Sequence, residues 1–315
     1  MTLDILIAQY SAFRKSLGED FRSQARLLRA FGREMGSGIE VTEMAPDRVK
    51  AFLDGVKPLT SYWHRKHSAL RGLFDYARKH GLITSSPLPT QIPKRPQAHT
   101  PYIYTRDELC RLLKATATFR KYTRQVEPDT LRTLVLLLYG AGLRVSEALA
   151  LDLGDVDLAA AMLTIHDTKF HKTRLVPLGA DLNRALTNYA ESRAPAVQSK
   201  AGDSPFLAGK NGARLTYSTV SKAFRKLRVV ACVARADGAR YQPRLHDLRH
   251  SFAVHRLTAW YSIGADVQRL LPKLSTYLGH ISLSATQIYL TMTPELLQAA
   301  AGRFAQYAFQ EVNDG

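Results

Sequence analysis

The sequence predicts a two-domain, mainly helical protein, in which an all-helical N-terminal domain precedes a mixed α+β domain with a small antiparallel sheet. Apolar residues recur at helical spacing near the N-terminus, a proline-rich stretch follows, and two β-branched segments lie further on. The chain has 315 residues, of which 45% are hydrophobic, so it can form two packed cores. We therefore place a helical domain at 1–86, a linker at 87–103 and a second domain at 104–315.

The N-terminal domain is predicted to contain amphipathic helices at roughly 3–17, 20–34, 44–54 and 61–80. In the fourth, apolar residues repeat at i, i+3, i+4 and i+7 and form a stripe, made by Leu70, Leu73, Phe74 and Ala77. The rest of its surface is expected to carry basic side chains: His64, Arg65, Lys66, His67, Arg71, Arg78 and Lys79. This face either lies against nucleic-acid phosphates or is a solvated basic face without a ligand.

The linker is predicted from composition. Prolines recur through residues 84–103 with Lys94 and Arg95 among them, and this pattern favours extended, polyproline-like chain over helix. Two interpretations stay open at this point. Such a basic linker either crosses a nucleic-acid backbone between the two domains or is an ordinary spacer.

The second domain is predicted to open with a capping box, from Thr105 to Glu108, ahead of an apolar-periodic helix. The elements expected after it are a buried helix at 130–140, a break flanked by Gly140 and Gly142, a short helix from Val145, a hairpin with strands at 162–166 and 174–178 around a basic tip, and a mainly helical remainder from Asp181.

The charge balance points to a polyanionic partner. Lysine and arginine outnumber aspartate and glutamate by 44 to 27, which gives a formal net charge of +17. Such a field attracts nucleic acid. No nucleotide-binding glycine loop, HExxH motif or carboxylate cluster stands out, so we expect no cofactor and no metal.

Cysteine content and hydropathy indicate the compartment. Cys110 and Cys232 are too few for a disulfide framework or a zinc site, which favours a reducing, cytoplasmic setting. The longest apolar run, Thr133–Leu143, is far shorter than the ~20 residues that span a bilayer. The N-terminus lacks the basic start of a signal peptide. We therefore expect neither secretion nor membrane insertion.

Three short motifs carry candidate chemistry, and each also has a structural interpretation. Arg144 in YGAGLRVSEAL is either a phosphate ligand at a helix start or the partner of Glu147 in a salt bridge. His246 and Arg249 in LHDLRHSF lie three residues apart, on one face of a helix. In YLGHISLSATQIY, His280 follows a helix-ending glycine and Tyr289 lies nine residues later. Taken singly, His246 is equally well a buried histidine that bonds Asp247 or a backbone carbonyl, and His280 fits a capping or packing residue better than a catalytic one.

The order of these motifs resembles that of the tyrosine recombinases, which include phage integrases and Xer-type enzymes. The resemblance covers the whole chain, with its specific motifs at 139–292. It implies a core-binding domain and a catalytic domain that close as a C-shaped clamp around duplex DNA. It assigns Arg144 and Arg249 to gripping the scissile phosphate and Tyr289 to nucleophilic attack. His246 and His280 are assigned to hydrogen-bonding the phosphate oxygens, and His246 is also placed to assist proton transfer. The hairpin sequence TKFHKTRLVPL resembles the family's hairpin pattern, and this resemblance implies that Lys169 protonates the departing 5′ oxygen, with Lys172 as the alternative.

The resemblance further implies a 3′-phosphotyrosine intermediate, strand exchange without ATP, and dimers to tetramers on DNA in the bacterial cytoplasm. Residues 294–310 are predicted to form a helix that docks either on a neighbouring protomer or on its own domain. The candidates for DNA contacts are Arg65, Lys66, Arg71, Arg78, Lys94, Arg95, Lys172, Lys222 and Arg225.

One departure concerns spacing. Thirty residues separate Arg249 from His280, which is longer than in Xer-type members and resembles integrases of transposons or plasmids. We therefore expect a mobile element, with other recombinases of that element as further partners. Tyr261 and Tyr277 are alternative tyrosines, although neither follows Leu-Gly-His. Two other functions stay open: a type IB topoisomerase and a DNA-binding regulator without catalysis.

Overall fold

The computed structural model describes residues 1–36, 38–56, 59–96, 100–119, 125–168, 172–193, 202–280, 282–291, 297–298 and 300–302. The chain divides into two compact units, Met1–His99 and Thr100–Gly315. The division falls inside the proline-rich segment. Between Lys79 and Arg106, the described residues form turns and irregular chain.

Unit 1 is helical. Its helices are α1 (Leu3–Ser16), α2 (Arg22–Met35), α3 (Pro46–Asp54) and α4 (Ser61–Lys79), with a 3₁₀ turn at Val41–Glu43. Pro46 occupies the first turn of α3, where its missing N–H costs nothing, and the Thr60 hydroxyl caps α4 by accepting from the Tyr62 N–H. The predicted stripe of α4 is buried and packs on Leu28 and Phe31 in one apolar core.

The prediction that His64 and His67 belong to the basic surface of α4 is wrong. Each is only 9% exposed. The indole of Trp63 stacks on His67 at 5.2 Å between ring centroids and meets His64 edge-on at 5.1 Å, while Trp63 Nε1 donates to Asp54 at 2.9 Å. The imidazoles therefore cover a large aromatic ring, and the pKa of His67 is lowered by burial and by Arg71.

Unit 2 opens with the predicted capping box, in which the Glu108 N–H donates to the Thr105 hydroxyl at 3.2 Å and the Thr105 N–H donates to the Glu108 carboxylate at 2.9 Å. Its helices in order are α5 (Arg106–Thr116), α6 (Pro128–Gly140), α7 (Val145–Ala150), α8 (Ala180–Arg193), α9 (Tyr217–Val230), α10 (Leu245–Ser262), α11 (Val267–Leu278) and α12 (Ser284–Gln287). Short 3₁₀ turns lie at Leu153–Asp155 and Ile288–Thr291.

The sheet is antiparallel and contains the predicted hairpin. Its order is β1 (Val156–Asp157), β2 (Met162–Thr168) and β3 (Lys172–Pro177), with Leu163 opposite Val176 and Ile165 opposite Arg174. The two-residue strand β1 was not predicted, because so short a segment shows no alternation. The sheet buries Leu163, Ile165 and Val176 and leaves Arg174 facing α11.

Helix α6 runs through the core of unit 2 and packs on α5, α8 and α10, which agrees with its almost continuous apolar sequence. After α6, the chain turns at Gly142, whose φ of +62° and contact with Phe252 leave no room for a Cβ atom. The predicted C-terminal helix at 294–310 lies largely outside the described residues. Across the described part of the chain, no helix is long and apolar enough to cross a membrane.

Candidate active site

Three segments of unit 2 meet at the carboxylate of Glu147, in the first turn of α7: the start of α7, strand β3 and helix α10. The carboxylate accepts from the Arg144 N–H at 2.8 Å and from Arg144 Nη1 at 2.5 Å. Arg174, on β3, donates to both of its oxygens, at 3.0 and 2.8 Å. Nη1 of Arg249, on α10, lies 3.8 Å away. One carboxylate thus joins three guanidinium groups.

The pKa of Glu147 reflects these contacts. Burial alone raises it, but the hydrogen bonds and charge of Arg174, together with the N–H and charge of Arg144, outweigh burial and hold the pKa at about 2. The carboxylate is therefore ionised throughout the neutral range. Three positive charges against one negative charge leave a net charge of +2 at this cluster, which suits an anionic ligand.

The same three arginines bind successive carbonyls at the end of α11. Nε of Arg174 donates to the Tyr277 carbonyl at 3.1 Å, Nη2 of Arg249 to the Leu278 carbonyl at 2.6 Å and Nη2 of Arg144 to the Gly279 carbonyl at 2.7 Å. These carbonyls have no partner inside the helix and carry its negative dipole end, so cations stabilise them. The arginines thereby fix the turn that precedes His280.

Gly279 permits this close approach. It ends α11 in the left-handed conformation, with φ +64°, and a Cβ atom here would lie 2.8 Å from Arg174 Nη1. The sequence motif Leu-Gly-His therefore has a physical basis. Glycine is needed because the backbone turns left-handed against a guanidinium.

Arg249 is 2% exposed and is held at both ends of its guanidinium, since Nη1 donates to the Gly142 carbonyl at 2.6 Å. Burial, and after it the charge of Arg144, lower its pKa to about 10. It stays protonated at neutral pH. Each Nη also carries a second hydrogen, so the side chain retains donors for a phosphate oxygen.

The predicted tyrosine, Tyr289, lies in the 3₁₀ turn Ile288–Thr291 and is 2% exposed. Its ring stacks on His280 at 6.0 Å between centroids, and its hydroxyl lies 3.1 Å from Nδ1 of His250. Burial raises the pKa of Tyr289, and this effect exceeds the lowering by the charge and hydrogen bond of Arg249. In the absence of DNA the phenol is therefore protonated.

The histidines occupy different positions around this phenol. Nδ1 of His280 shares a hydrogen bond with the Thr286 hydroxyl at 2.7 Å, and burial together with Arg249 lowers its pKa to about 4. His246 lies at the surface in the first turn of α10, with its ring edge-on to His250 at 4.8 Å. Its pKa is lowered, first by loss of water around part of the ring and then by Arg249. Both rings are therefore neutral near pH 7.

The structure brings together Arg144, His246, Arg249, His280 and Tyr289. Lys169 lies outside the described residues, as does the side chain of Lys172. The alternative tyrosine Tyr277 stacks on Phe252 and donates to the Pro177 carbonyl at 3.4 Å.

Sequence reasoning missed two residues of the site: Arg174, which binds Glu147, and His250, which lies beside the Tyr289 hydroxyl. Arg174 is the arginine of RLVPL, and His250 is the histidine that directly follows the arginine of HxxR. Both positions could have been noticed as polar groups beside predicted site residues. Nothing in their sequence spacing, however, indicates which atoms they contact.

The predicted DNA contacts differ in their surroundings. Lys66 binds the Phe52 carbonyl and lies over the Phe52 ring at 4.4 Å, so its ammonium is held within unit 1. Arg71 and Arg78 both pair with Asp75, at 3.6 and 3.4 Å. The remaining described candidates are exposed: Arg65, Lys94, Arg95, Lys222 and Arg225. Among the described residues, no group of three or more His, Cys, Asp or Glu side chains could hold a metal ion.

Comparisons with known proteins identify the family to which the chain belongs. Residues 103–295 match the phage integrase family. The chain is 38% identical over 246 residues to a Sinorhizobium fredii protein named as integrase/recombinase y4rB, covering 77% of this chain and 78% of that protein. It is 33% identical over 226 residues to the tyrosine recombinase XerC of Azotobacter vinelandii, covering 70% and 66%.

A solved structure shares the fold. The integrase of transposon Tn1549, in complex with transposon right-end DNA, superposes with a TM-score of 0.68 at 16% identity, covering 98% of this chain and all of that one. The matched family region contains each described member of the Glu147 cluster and the tyrosine beside it. We conclude that the chain belongs to the phage integrase family of tyrosine recombinases.

Proposed function

We propose that this chain is a site-specific DNA recombinase that cuts and rejoins duplex DNA through a 3′-phosphotyrosine intermediate. The observation that carries the proposal is the position of Tyr289 beside a turn to which Arg144 and Arg249 both bind. Family membership supports the same reaction. Glu147 and its three arginines carry a net charge of +2, which attracts an anionic phosphodiester to the position of the nucleophile.

In the proposed reaction, Arg144 and Arg249 hold the scissile phosphate, while His246 and His280 donate to its nonbridging oxygens. Attack by the Tyr289 oxygen concentrates negative charge on those oxygens, and fixed donors stabilise that charge. Loss of one such donor typically costs ~10²–10³ in rate. Because the arginines are already bound to Glu147 and to the α11 carbonyls, little reorganisation is needed when DNA arrives.

The leaving group is the 5′ oxygen of the cut strand. We assign its proton donor to Lys169, with Lys172 as the alternative, from the hairpin pattern TKFHKTRLVPL. The energy of the broken phosphodiester is retained in the tyrosine ester. A 5′ hydroxyl from a second duplex can then reverse the step, so no ATP is required.

We place the protein on duplex DNA in the bacterial cytoplasm. Exchange of both strands between two duplexes needs four cuts and thus four nucleophiles, so the active assembly is a tetramer built from dimers. Residues 294–310 are assigned to the contact between protomers. One similar protein is named as an integrase/recombinase, and one similar structure is the integrase of a transposon. These names support a role in a mobile element, in which other recombinases of that element are further partners.

The proposal is tested with nicked duplexes tiled across the DNA that flanks the gene. The nick lets a short fragment diffuse away after cleavage, so the covalent complex accumulates and survives denaturing detergent. We expect Tyr289→Phe to abolish the complex and Tyr261→Phe to retain it. A complex that persists in Tyr289→Phe would overturn the assignment.

The same DNA distinguishes the other two functions. Relaxation of a supercoiled plasmid without strand exchange between two target sites would identify a type IB topoisomerase. Binding to the target without any covalent complex would identify a regulator. The proposed recombinase forms the complex and yields exchanged products.

A further inference from the structure

A histidine that the recombinase resemblance does not assign lies within hydrogen-bond distance of the nucleophilic oxygen. His250 lies on α10, directly after Arg249, and its Nδ1 is 3.1 Å from the Tyr289 hydroxyl. The two rings are 5.5 Å apart between centroids and tilted by 58°. This is the distance over which a proton passes between a phenol and an imidazole.

The surroundings of His250 determine its protonation. The pKa of His250 is lowered to about 3, and burial is the largest cause. The basic groups around the ring lower it further: His246, Arg249 and Arg244 on α10 and at its start, and His280 in the turn after α11. The ring is therefore neutral at physiological pH and has one unprotonated nitrogen. With Nδ1 as that nitrogen, the Tyr289 hydroxyl is the donor and His250 the acceptor.

The other two site histidines are placed differently. Nδ1 of His280 is bonded to Thr286, and the ring of His280 lies stacked beside the Tyr289 ring. His246 lies one turn before His250 and meets it edge-on. Of these three imidazoles, His250 is therefore the one with a described hydrogen bond to the tyrosine oxygen.

We propose that His250 is the catalytic base that accepts the proton of Tyr289 during strand cleavage. This inference rests on the proposed function. As the bond from the tyrosine oxygen to phosphorus forms, the phenol proton moves to Nδ1 of His250. The bond from phosphorus to the 5′ oxygen breaks, and that oxygen takes a proton from the acid on the hairpin. In rejoining, the imidazolium returns its proton to the departing tyrosine.

Such a base is needed because burial raises the pKa of Tyr289 above its usual value near 10, so the phenol does not ionise by itself at neutral pH. A base works best when its pKa lies near the working pH. The negative charge of the bound phosphate opposes the neighbouring cations and raises the pKa of His250 towards that range. Binding of DNA thus prepares the base as well as the phosphate.

The first test is the single-turnover cleavage rate of His250→Asn on a nicked target duplex. Asparagine places an acceptor where Nδ1 stands but cannot carry the proton, so we expect a loss of ~10²–10⁴, the usual contribution of a general base. The matched control is His255→Asn. His255 lies on the same helix, and its Nδ1 is 2.9 Å from the hydroxyl of Tyr139, which is not the nucleophile.

The second test separates proton transfer from a structural role. A fluorinated tyrosine at position 289 has a more acidic phenol, so it should restore much of the rate lost in His250→Asn. A substrate with sulfur in place of the bridging 5′ oxygen has a better leaving group, and it should leave the defect unchanged. Rescue by the sulfur substrate instead would make His250 the acid and overturn the proposal.

Two further outcomes also overturn it. A rate for His250→Asn equal to or above that of the wild type would mean that His250 only restrains the tyrosine, and a fluorinated tyrosine without effect would leave only a structural role. Failure of the proposed function itself is distinguishable. In that case the wild-type chain forms no covalent complex with any duplex.

Discussion

Replacement of Glu147 by glutamine tests whether one carboxylate holds the arginine cluster together. The amide keeps the shape but removes the charge that Arg144, Arg174 and Arg249 share. The drop in the Glu147 pKa from 4.5 to about 2 corresponds to roughly 3 kcal/mol of stability at neutral pH, since a tenfold change in ionisation is worth about 1.4 kcal/mol. Breaking a buried ion pair by removing one partner costs about 3–5 kcal/mol, which agrees.

The sign of the pH dependence follows from the lowered pKa. The carboxylate stabilises the folded state fully above its unfolded pKa, and this stabilisation is lost as the pH falls from about 5 towards 2. Glutamine does not titrate. The difference in free energy of unfolding between wild type and Glu147→Gln should therefore be largest near neutrality and shrink through this acidic window.

The assay is urea denaturation followed by fluorine NMR of protein labelled with 5-fluorotryptophan. The chain has two tryptophans, Trp63 in unit 1 and Trp260 in unit 2, so each unit reports separately. We expect the Trp260 transition to lose roughly 3 kcal/mol at pH 7 in Glu147→Gln, while the exposed control Glu191→Gln on α8 stays within about 0.5 kcal/mol of wild type. Equal stability of Glu147→Gln and wild type, or a difference that is the same at pH 7 and pH 3, would refute this reasoning.

Three further predictions concern neighbouring groups. Gly279→Ala puts a side chain at φ +64° against Arg174, so the Trp260 transition should lose about 1–2 kcal/mol, and unchanged stability would contradict the steric argument. Thr105→Ala removes the α5 capping box and should cost about 1 kcal/mol in the same assay while the cleavage rate is retained; Thr105→Ser should behave as wild type. Arg144→Lys keeps the charge but not the fork that binds both Glu147 and the Gly279 carbonyl, so single-turnover cleavage should fall ~10²-fold or more, and a wild-type rate would show that the fork is dispensable.

Local signals predicted much of the fold. The capping box at Thr105, the break after Gly140 and the hairpin were all readable because each depends on residues close in sequence. The helix stripe of α4 was equally local. The burial of His64 and His67 was not, because it depends on how Trp63 docks against α3 through Asp54.

The order of motifs named residues that the structure brings together, but it did not predict which atoms are joined. The pairing of Arg144 with Glu147 spans three residues and could be weighed from the sequence. The hydrogen bonds between Arg174 and Glu147 and between His250 and Tyr289 span 27 and 39 residues, so only the packing of β3, α10 and α11 creates them. Such contacts leave no periodic trace in a single sequence.

The most direct test of the central claim is to identify the residue that carries DNA in the trapped complex. After nuclease and protease digestion, mass spectrometry should find a nucleotide-phosphate adduct on the peptide that contains Tyr289, with cleavage leaving the phosphate at the 3′ end of the cut strand. An adduct on Tyr261 or Tyr277, or one that remains after Tyr289→Phe, would contradict the account.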